Sequence, residues 1–507
     1  MKPNLKILLF LTAVALQVTA FGQTPTQVEA FDRYVEQART TWNVPGLSVA
    51  IVKDGKVVLA RGYGVRELGK TGPVTADTLF GAMSTTKAMT VAAMAMLVDE
   101  GKLKWDDKVT KHLPEFRVGD PYVTNELRVR DLLTHSGGLG NADFLWAWTP
   151  ELSSAEIVHK MRLAQPAYSL RSSFVYQNVM YLVAGQVIEK ASGMPWEKFV
   201  TERLFGPLGM RNSFATWQAG KSYQDRSAAH FDVKGKIEVI PDMTIDTIAP
   251  AGSVWSTADD IAKWVAFMLG DGTWNGKTLI KPATFNEILK PQVIVPGPEF
   301  YPTIAITKPH WMTYGLGWFQ HEYRGEMVNF HTGSIDGRTA IVGLLRDKKT
   351  GVYIFGNLDH AEVRHALMYK AFDVFGFGDE GRDWSAEFKT LYDGIKAQRA
   401  KAEESFRAKR AQNTQPSLPL TAYAGRYSDP FYGSVDVVAD GGKLRAKVGG
   451  TLTADLGHWQ FDTFIAAWNK KWWDESLVSF QLSPVGAEVA SLSLDGVTLR
   501  REPNAAR

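Results

Sequence analysis

The chain has no cysteine among its 507 residues. This excludes disulfide bonds, thiolate metal sites, a cysteine nucleophile and a lipidated N-terminal cysteine. The formal net charge at pH 7 is only +3. No basic stripe with interleaved aromatic residues, of the kind that follows a nucleic-acid backbone, occurs along the chain. We therefore expect no nucleic-acid partner and no thiol chemistry.

Signals for metals and cofactors are also sparse. The chain contains ten histidines but no His-Glu-x-x-His zinc motif. His360, Glu362 and His365 do not form a ligand pattern on one helical face. We therefore expect neither a catalytic metal nor any other cofactor.

The N-terminus has the residue pattern of an export signal. Lys2 and Lys6 precede the largely apolar run from Ile7 to Val18, and the small residues that follow include Ala20 and Gly22. This pattern predicts a signal peptide over residues 1–22, which is removed on export. The alternative is a short membrane anchor, but the run is shorter than the roughly 20 residues that span a bilayer. We expect a periplasmic or extracellular protein with no stable membrane anchor after cleavage.

Residues 25–380 contain both strand-like and helical runs, and the family resemblance described below implies that they form one α+β domain in which an antiparallel sheet is flanked by helices. The predicted strands are Leu47 to Val52, Val57 to Ala60, Met327 to His331, Thr339 to Leu345 and Val352 to Phe355. The predicted helices include one from Pro25, one from about Glu362, and a buried one over Ser84 to Glu100 that Gly101 closes.

The composition changes near residue 381. A charged, alanine-rich stretch over residues 381–415 predicts a solvated linker helix, with six Lys or Arg against two Glu between Lys396 and Arg410. Short alternating runs between Gly and Asp turns then predict a small β domain over residues 416–507. Its clustered tryptophans (Trp459, Trp468, Trp472 and Trp473) fit aromatic filling of a small barrel better than stacking on sugars.

Ser84 and Lys87 lie three residues apart at the start of the buried helix. This spacing puts a hydroxyl and an amine on one helical face. A serine becomes nucleophilic when a base removes its proton, and a lysine can be that base if its pKa is lowered. Ser and Lys are common residues, so the motif is weak alone, and its ordinary interpretation is a helix cap beside an exposed lysine.

A second candidate element is Tyr176-Gln177-Asn178, the only Tyr-x-Asn in the chain. Tyr176 could share or relay the proton, and a nearby ammonium such as that of Lys87 would favour its phenolate. Asn178 could cap the following helix or present its amide to a substrate carbonyl.

The third element is His331-Thr332-Gly333-Ser334 at the end of a predicted strand. Two other runs have the same shape with a lysine first, Lys70-Thr71-Gly72 and Lys349-Thr350-Gly351. A motif search alone would not decide among the three.

Ser-x-x-Lys, Tyr-x-Asn and His-Thr-Gly in this order resemble the serine β-lactamase and penicillin-binding superfamily. Tyr-x-Asn in place of Ser-Asp-Asn resembles its class C branch, which includes esterases and D-aminopeptidases (peptidase S12-like). The resemblance covers residues 27–376 and includes Leu132 to Leu139 and Ala251-Gly252-Ser253. The C-terminal region resembles the small lipocalin-like domains attached to some members.

The resemblance implies roles for the three motifs. Ser84 would be acylated, while Lys87 and Tyr176 would move the proton. Asn178, His331, Thr332 and Gly333 would contact substrate, and the backbone N–H groups of Ser84 and Ser334 would form the oxyanion hole. In the family the third motif lies on an edge strand that two more strands and a helix follow, which selects His331.

The resemblance does not decide the substrate. We expect an exported serine hydrolase acting on peptide or amide bonds of D-amino-acid or cell-wall-type peptides. A carboxylesterase or weak β-lactamase of the same fold is the near alternative, and a penicillin-binding sensor or scaffold without turnover belongs to another class. A largely neutral His331 weakens the case for substrates with a free carboxylate. The expected partner is a small molecule or peptide, and the sequence leaves open an oligomer formed through the C-terminal domain.

Two aromatic, proline-bounded stretches could wall a substrate pocket. They are Phe144 to Trp148 and Phe300 to Trp311. The alternative is that both are simply packed covers over the core.

Overall fold

The computed structural model describes residues 25–503. The signal peptide predicted for residues 1–22 lies outside the described residues. An eight-stranded antiparallel sheet forms the centre of the larger domain, with spatial order β2-β1-β8-β7-β6-β5-β4-β3. Its strands are β1 Gly46–Lys53, β2 Lys56–Gly64, β3 Val293–Ile294, β4 Met312–Tyr314, β5 Phe319–Tyr323, β6 Glu326–Ile335, β7 Arg338–Leu345 and β8 Thr350–Gly356.

Six longer helices accompany this sheet. They are α1 Pro25–Thr41, α2 Thr86–Asp99, α3 Asn178–Ser192, α4 Ala258–Leu269, α5 Val363–Ala371 and α6 Trp384–Ala408. Shorter helices are Val109–His112, Pro121–Glu126, Phe144–Ala147, Ser154–Lys160, Trp196–Val200, Gly206–Leu208, Trp217–Gly220, Ala249–Gly252, Pro282–Ile288, Ile304–Thr307 and Leu420–Tyr423. Three two-stranded ribbons pair Phe80–Gly81 with Trp255–Ser256, Ala229–Val233 with Lys236–Ile240, and Thr273–Trp274 with Lys277–Thr278.

Helices cover both faces of the sheet, which explains why its central strands are buried throughout. One apolar cluster contains α2, α3 and α4, and another contains α1, α5 and the start of α6. Every residue of α2 from Thr86 to Leu97 is buried. A helix that is apolar all round is stable only inside a large core, so α2 holds its first turn rigidly.

The α+β fold predicted from the sequence is confirmed. Strands β6, β7 and β8 and helix α5 follow one another as predicted, and Lys349 lies in the turn between β7 and β8 with a φ of +46°.

The expectation that the third motif lies on an edge strand is correct for only half of β6. Residues Glu326 to Phe330 pair with β5, and those from Val328 onward also pair with β7. Residues His331 to Ile335 pair with β7 alone. Strand β5 begins at Phe319, which pairs with Phe330, and extends away from the motif. The part of β6 that carries the motif therefore has a neighbouring strand on one side only.

The C-terminal domain is a closed eight-stranded barrel. Its strands are β9 Gly425–Asp429, β10 Gly433–Asp440, β11 Lys443–Val448, β12 Leu452–Gln460, β13 Thr463–Trp468, β14 Ser476–Leu482, β15 Val489–Leu494 and β16 Val497–Arg501. Alternate residues such as Leu444, Ala446 and Val448 are buried, as the period of two in a strand requires. Strands β9 and β16 pair and close the barrel.

Helix α6 connects the two domains over residues 384–408. Its first turn is anchored in the larger domain, where Trp384 stacks on Tyr369 and its Nε1 donates to Asp373 Oδ2 at 2.7 Å. Its later turns are mostly exposed until Phe406 stacks on Trp459 of the barrel.

The barrel tryptophans were expected to fill its core, but several of them make contacts outside the barrel. Trp459 lies against α6, and the indole N–H groups of Trp472 and Trp473 both donate to Asp336 of the larger domain. The barrel core is formed mainly by aliphatic residues with Tyr423, Tyr427, Phe464 and Phe480. Among residues 25–503, no helix is both long and apolar enough to cross a membrane.

Candidate active site

Ser84 lies where a short strand turns into α2. The chain leaves Phe80–Gly81, makes one 3₁₀ turn over Met83–Thr85 and continues as the helix. Met83 has a φ of +49°, a left-handed conformation that a residue with a side chain adopts only at a cost in strain. Ser84 itself is partly exposed and lines a large cavity.

Lys87 is fully buried one turn below Ser84. Its Nζ lies 3.0 Å from Ser84 Oγ, 2.7 Å from Asn178 Oδ1 and 2.9 Å from the carbonyl oxygen of Ala251. Burial lowers the pKa of Lys87 to about 7, although the carboxylate of Asp143 opposes the shift. When Lys87 is neutral, its two N–H bonds satisfy Asn178 and Ala251, so its lone pair faces the hydroxyl of Ser84.

Tyr176 lies beside both residues. The Lys87 Nζ is 4.8 Å from the centroid of its ring, and the ring of His135 lies 4.2 Å away on a tilted stack. Burial raises the pKa of Tyr176 well above 10, although its hydrogen bond with Ser84 opposes the shift. The raised pKa favours the protonated phenol of Tyr176 and not the phenolate considered from the sequence.

Asn178 is the first residue of α3, but it does not cap that helix. Its Oδ1 accepts from Lys87, and its Nδ2 donates to Asp143 Oδ2 at 2.9 Å. The amide is therefore held with its oxygen toward the lysine. Asn178 lines the cavity and positions Lys87.

Asp143 was missed by the sequence motifs. Its carboxylate accepts hydrogen bonds from Asn178, from Asn141 Nδ2 at 3.2 Å and from Trp146 Nε1 at 3.0 Å. The only local signal for it was its position at the start of the aromatic stretch Phe144 to Trp148. No spacing rule connects that position with Asn178, which is 35 residues away in the chain.

The third motif approaches the nucleophile through its backbone. A Cβ added to Gly333 would lie 2.6 Å from the backbone nitrogen of Ser84 and 2.7 Å from the carbonyl oxygen of Ala82. Only a glycine permits this approach. The expected oxyanion hole at the N–H groups of Ser84 and Ser334 stays a prediction, and the closeness of the Gly333 backbone supports it.

Thr332 and Ser334 both line the cavity. Thr332 Oγ1 lies 2.6 Å from the hydroxyl of Tyr301. The buried Arg364 donates from Nη1 to Ser334 Oγ at 2.8 Å and to the carbonyl oxygen of Gly333 at 2.6 Å. The guanidinium, which also lines the cavity, therefore holds the end of β6 in place.

His331 is almost fully buried and is not among the residues that line the cavity, so its expected contact with substrate stays a prediction. Its ring is buried, with Nδ1 2.7 Å from the carbonyl oxygen of Thr332 and Nε2 3.0 Å from the hydroxyl of Tyr314. Burial and the nearby Lys87 lower the pKa of His331 to about 3. Since successive side chains of a strand face opposite ways, Thr332 and Ser334 face the cavity, and the neutral His331 lies on the other face of β6, where Gly333 meets Ser84.

A buried relay of hydrogen bonds supports this layer. The hydroxyl of Tyr314 joins His331 to His135, whose Nε2 lies 3.2 Å away. His135 Nδ1 accepts the backbone N–H of Gln177 at 3.0 Å and so holds the segment next to Tyr176. Burial lowers the pKa of His135 well below its usual value. These hydrogen bonds give His135 a structural role in this layer.

The cavity above Ser84 has a volume of about 1630 Å³. Both aromatic stretches singled out in the sequence contribute to it, Trp146 from one and Phe300 and Tyr301 from the other. The linker helix and the barrel also contribute, through residues such as Tyr392, Arg399, Trp472 and Asp474. The volume exceeds the roughly 300–1,000 Å³ of ordinary small-molecule sites.

Neither of two glycine-rich runs forms a nucleotide site. Gly64 to Thr71 has the spacing of a phosphate-binding loop, and Gly376 to Gly381 has that of a dinucleotide fingerprint. Both motifs require a strand, a loop and a helix whose N-terminus faces the phosphate. No helix directly follows the first run, and no strand directly precedes the second. In the described part of the chain, no group of three or more His, Asp or Glu residues is arranged to hold a metal ion.

Comparison with protein families identifies both domains. A family model described as Beta-lactamase matches residues 31–373, and one described as Domain of unknown function (DUF3471) matches residues 409–504. The unguisins hydrolase ungD of Aspergillus violaceofuscus is 29% identical over 449 residues, which cover 82% of this chain and 78% of that protein. Protein flp of Staphylococcus aureus is 24% identical over 342 residues, covering 66% of this chain and 64% of its own.

Two solved structures share the fold. The octameric penicillin-binding protein homologue from Pyrococcus abyssi superposes with a TM-score of 0.60 at 23% identity, covering 93% of this chain and 99% of that chain. SurE with D-Leu superposes with a TM-score of 0.54 at 19% identity, covering 94% and 100%. The family model spans most of the chain and agrees with the resemblance of the three motifs, and the chain therefore belongs to the β-lactamase family.

Proposed function

We propose that this protein is an exported serine hydrolase that forms an acyl-enzyme on Ser84 and cleaves peptide or amide bonds, with D-amino-acid or cell-wall-type peptides as the substrate class. The arrangement of Lys87 supports this proposal more than any other observation. Its Nζ lies 3.0 Å from Ser84 Oγ, and its two remaining contacts hold it in the orientation of a base.

The proposed reaction uses three side chains. Lys87 takes the proton of Ser84 while Ser84 Oγ bonds to the scissile carbonyl carbon, and the charge that develops on the carbonyl oxygen faces the N–H groups near Ser84 and Ser334. Tyr176 donates its proton to the leaving nitrogen as the C–N bond breaks, and Lys87 then reprotonates Tyr176. Water cleaves the acyl-enzyme and restores Ser84.

The large cavity supports a peptide-sized substrate, and a relative named as a hydrolase of unguisins supports a hydrolytic reaction. His331 provides no cation at the cavity surface, so it does not support recognition of a penicillin carboxylate. Ester hydrolysis would pass through the same kind of acyl-enzyme. Carboxylesterase activity is therefore the alternative that the experiment must measure.

The experiment uses purified protein with three kinds of substrate: D-aminoacyl anilides, p-nitrophenyl esters and a chromogenic cephalosporin. We expect turnover of the anilides that Ser84→Ala abolishes. Preference for esters would replace the amide proposal by an esterase. Stoichiometric labelling of Ser84 by a fluorophosphonate without turnover of any substrate would instead indicate a sensor or scaffold. Turnover unchanged in Ser84→Ala would overturn the site.

A further inference from the structure

The C-terminal barrel contacts the two chain segments that border the catalytic residues. One segment is the end of β6 from Gly333 to Asp336, and the other is Asp143 to Trp148. Both belong to the larger domain. Their contacts with the barrel are not needed to close the barrel, whose own strands do so.

The first contact is centred on Asp336. This residue is in the two-residue turn between β6 and β7, two positions after Ser334. Its Oδ2 accepts the indole N–H of Trp472 at 2.8 Å and that of Trp473 at 3.0 Å. Both tryptophans come from the barrel loop between β13 and β14. Hydrogen bonds to a charged acceptor are stronger than neutral ones, so this loop holds the turn firmly.

A short connection joins that turn to the nucleophile. Asp336 follows Gly333 by three residues, and the Gly333 backbone lies against the backbone nitrogen of Ser84. Residues 331–335 pair only with β7 and have no strand on their other edge. The barrel loop therefore restrains a segment that the sheet holds on one side only.

The second contact is aromatic. The ring of Phe144 lies 5.1 Å from that of Phe431 and 4.4 Å from that of Tyr432, both in the loop between β9 and β10. Lys160 Nζ adds a bond of 2.6 Å to the carbonyl oxygen of Pro430. Phe144 directly follows Asp143, whose carboxylate holds the amide of Asn178 against Lys87.

We propose that the barrel is a positioning part of the active site: it holds the turn at Asp336 and the segment at Phe144, and thereby places the Gly333–Ser334 backbone and the Asp143 carboxylate. This inference rests on the proposed function of Ser84. It gives a role to a domain whose family model is described as one of unknown function. Asp336 and Phe144 act through other residues and touch no reacting atom.

The first test removes the contact at Asp336 from each side. Trp472→Phe combined with Trp473→Phe removes both N–H donors and keeps aromatic bulk, and Asp336→Ala removes the acceptor. Trp468→Phe is the matched control, because its indole N–H donates to Ser476 within the barrel at 3.2 Å. The measurements are the second-order rate of Ser84 labelling by a fluorophosphonate, and kcat and KM for a p-nitrophenyl ester.

We expect labelling to slow about tenfold or more in the double variant and in Asp336→Ala, with the loss mainly in kcat, because the oxyanion donors are misplaced. The protein with all three substitutions should be labelled no more slowly than the double tryptophan variant or Asp336→Ala, because all of them break the same contact. The control should keep the wild-type rate. Thermal unfolding of every variant checks that the protein remains folded.

Phe144→Ala tests the second contact through a pH profile. Asp143 raises the pKa of Lys87 against the effect of burial, so loosening Asp143 should move the acidic limb of the rate to lower pH. Two results together would overturn this inference alone. The folded Asp336 and tryptophan variants would be labelled at the wild-type rate, and the acidic limb of the pH profile would not move in Phe144→Ala. Absence of Ser84 labelling in the wild-type protein would overturn the proposed function and this inference together.

Discussion

The side-chain amide of Asn178 donates to Asp143 Oδ2 at 2.9 Å, and this bond decides which way the amide faces. With Nδ2 held by the carboxylate, Oδ1 faces Lys87 and accepts from its Nζ at 2.7 Å. A carboxylate outside the three motifs thus controls the orientation of the base.

The pH dependence of the reaction should follow the ionisation of Lys87. Its pKa is lowered to about 7, and only the neutral amine accepts the proton of Ser84. We expect kcat/KM for a p-nitrophenyl ester to rise about tenfold per pH unit below the pKa and to level off above it. Lys87→Ala should lower the plateau by about 10²–10⁴-fold. A rate that is independent of pH between 5 and 8 would contradict Lys87 as the base.

Removing the charge of Asp143 should shift this profile. Asp143 raises the pKa of Lys87, so Asp143→Asn should lower that pKa and move the acidic limb to lower pH. The plateau should also fall, because the amide of Asn178 is held less firmly. Asp436→Asn changes an exposed barrel carboxylate that pairs with Arg426 and should leave the profile in place. An acidic limb that moves to higher pH in Asp143→Asn would disprove the proposed effect of Asp143 on the pKa of Lys87.

Gly333→Ala should slow acylation by about 10²-fold, comparable with the loss of an oxyanion-hole donor. The added Cβ would lie 2.6 Å from the Ser84 nitrogen and 2.7 Å from the Ala82 oxygen, so β6 must move away. The control is Gly394→Ala in α6, where a Cβ meets no atom within 4 Å. That helical substitution should stabilise the protein by up to about 1 kcal/mol. Rates of fluorophosphonate labelling and thermal unfolding distinguish the two effects.

His331→Lys should not improve the use of substrates that carry a carboxylate. Its side chain is buried, so the substitution introduces an ammonium with no carboxylate partner near Lys87. We expect a loss of about 3 kcal/mol or more in the free energy of unfolding, measured by denaturant titration. Lys349→Ala, in the turn between β7 and β8, should leave activity nearly intact. A gain in kcat/KM for carboxylate substrates in His331→Lys would show that the ring reaches the cavity.

Much of the fold could be predicted because its local signals are strong. Apolar runs bounded by turn residues located β1, β2, β7 and β8, and Gly101 located the end of α2. The order of three weak motifs selected Ser84, Lys87, Tyr176 and Asn178, which the structure brings together around one hydrogen-bond network. The sequence could not indicate Asp143, because its partner is distant in the chain and carries no pattern.

The sequence by itself determined the strands and helices around the motifs, the small β domain and the motif side chains of the site, since these depend on hydrophobic periodicity, turn residues and motif spacing. Only the tertiary structure decided the charge states and exposures. Burial brings the pKa of Lys87 close to neutrality, keeps Tyr176 protonated and keeps His331 neutral. The same packing places the indole N–H groups of Trp472 and Trp473 on Asp336 of the larger domain. Desolvation and contacts between distant segments depend on the whole packed chain, and no local pattern carries them.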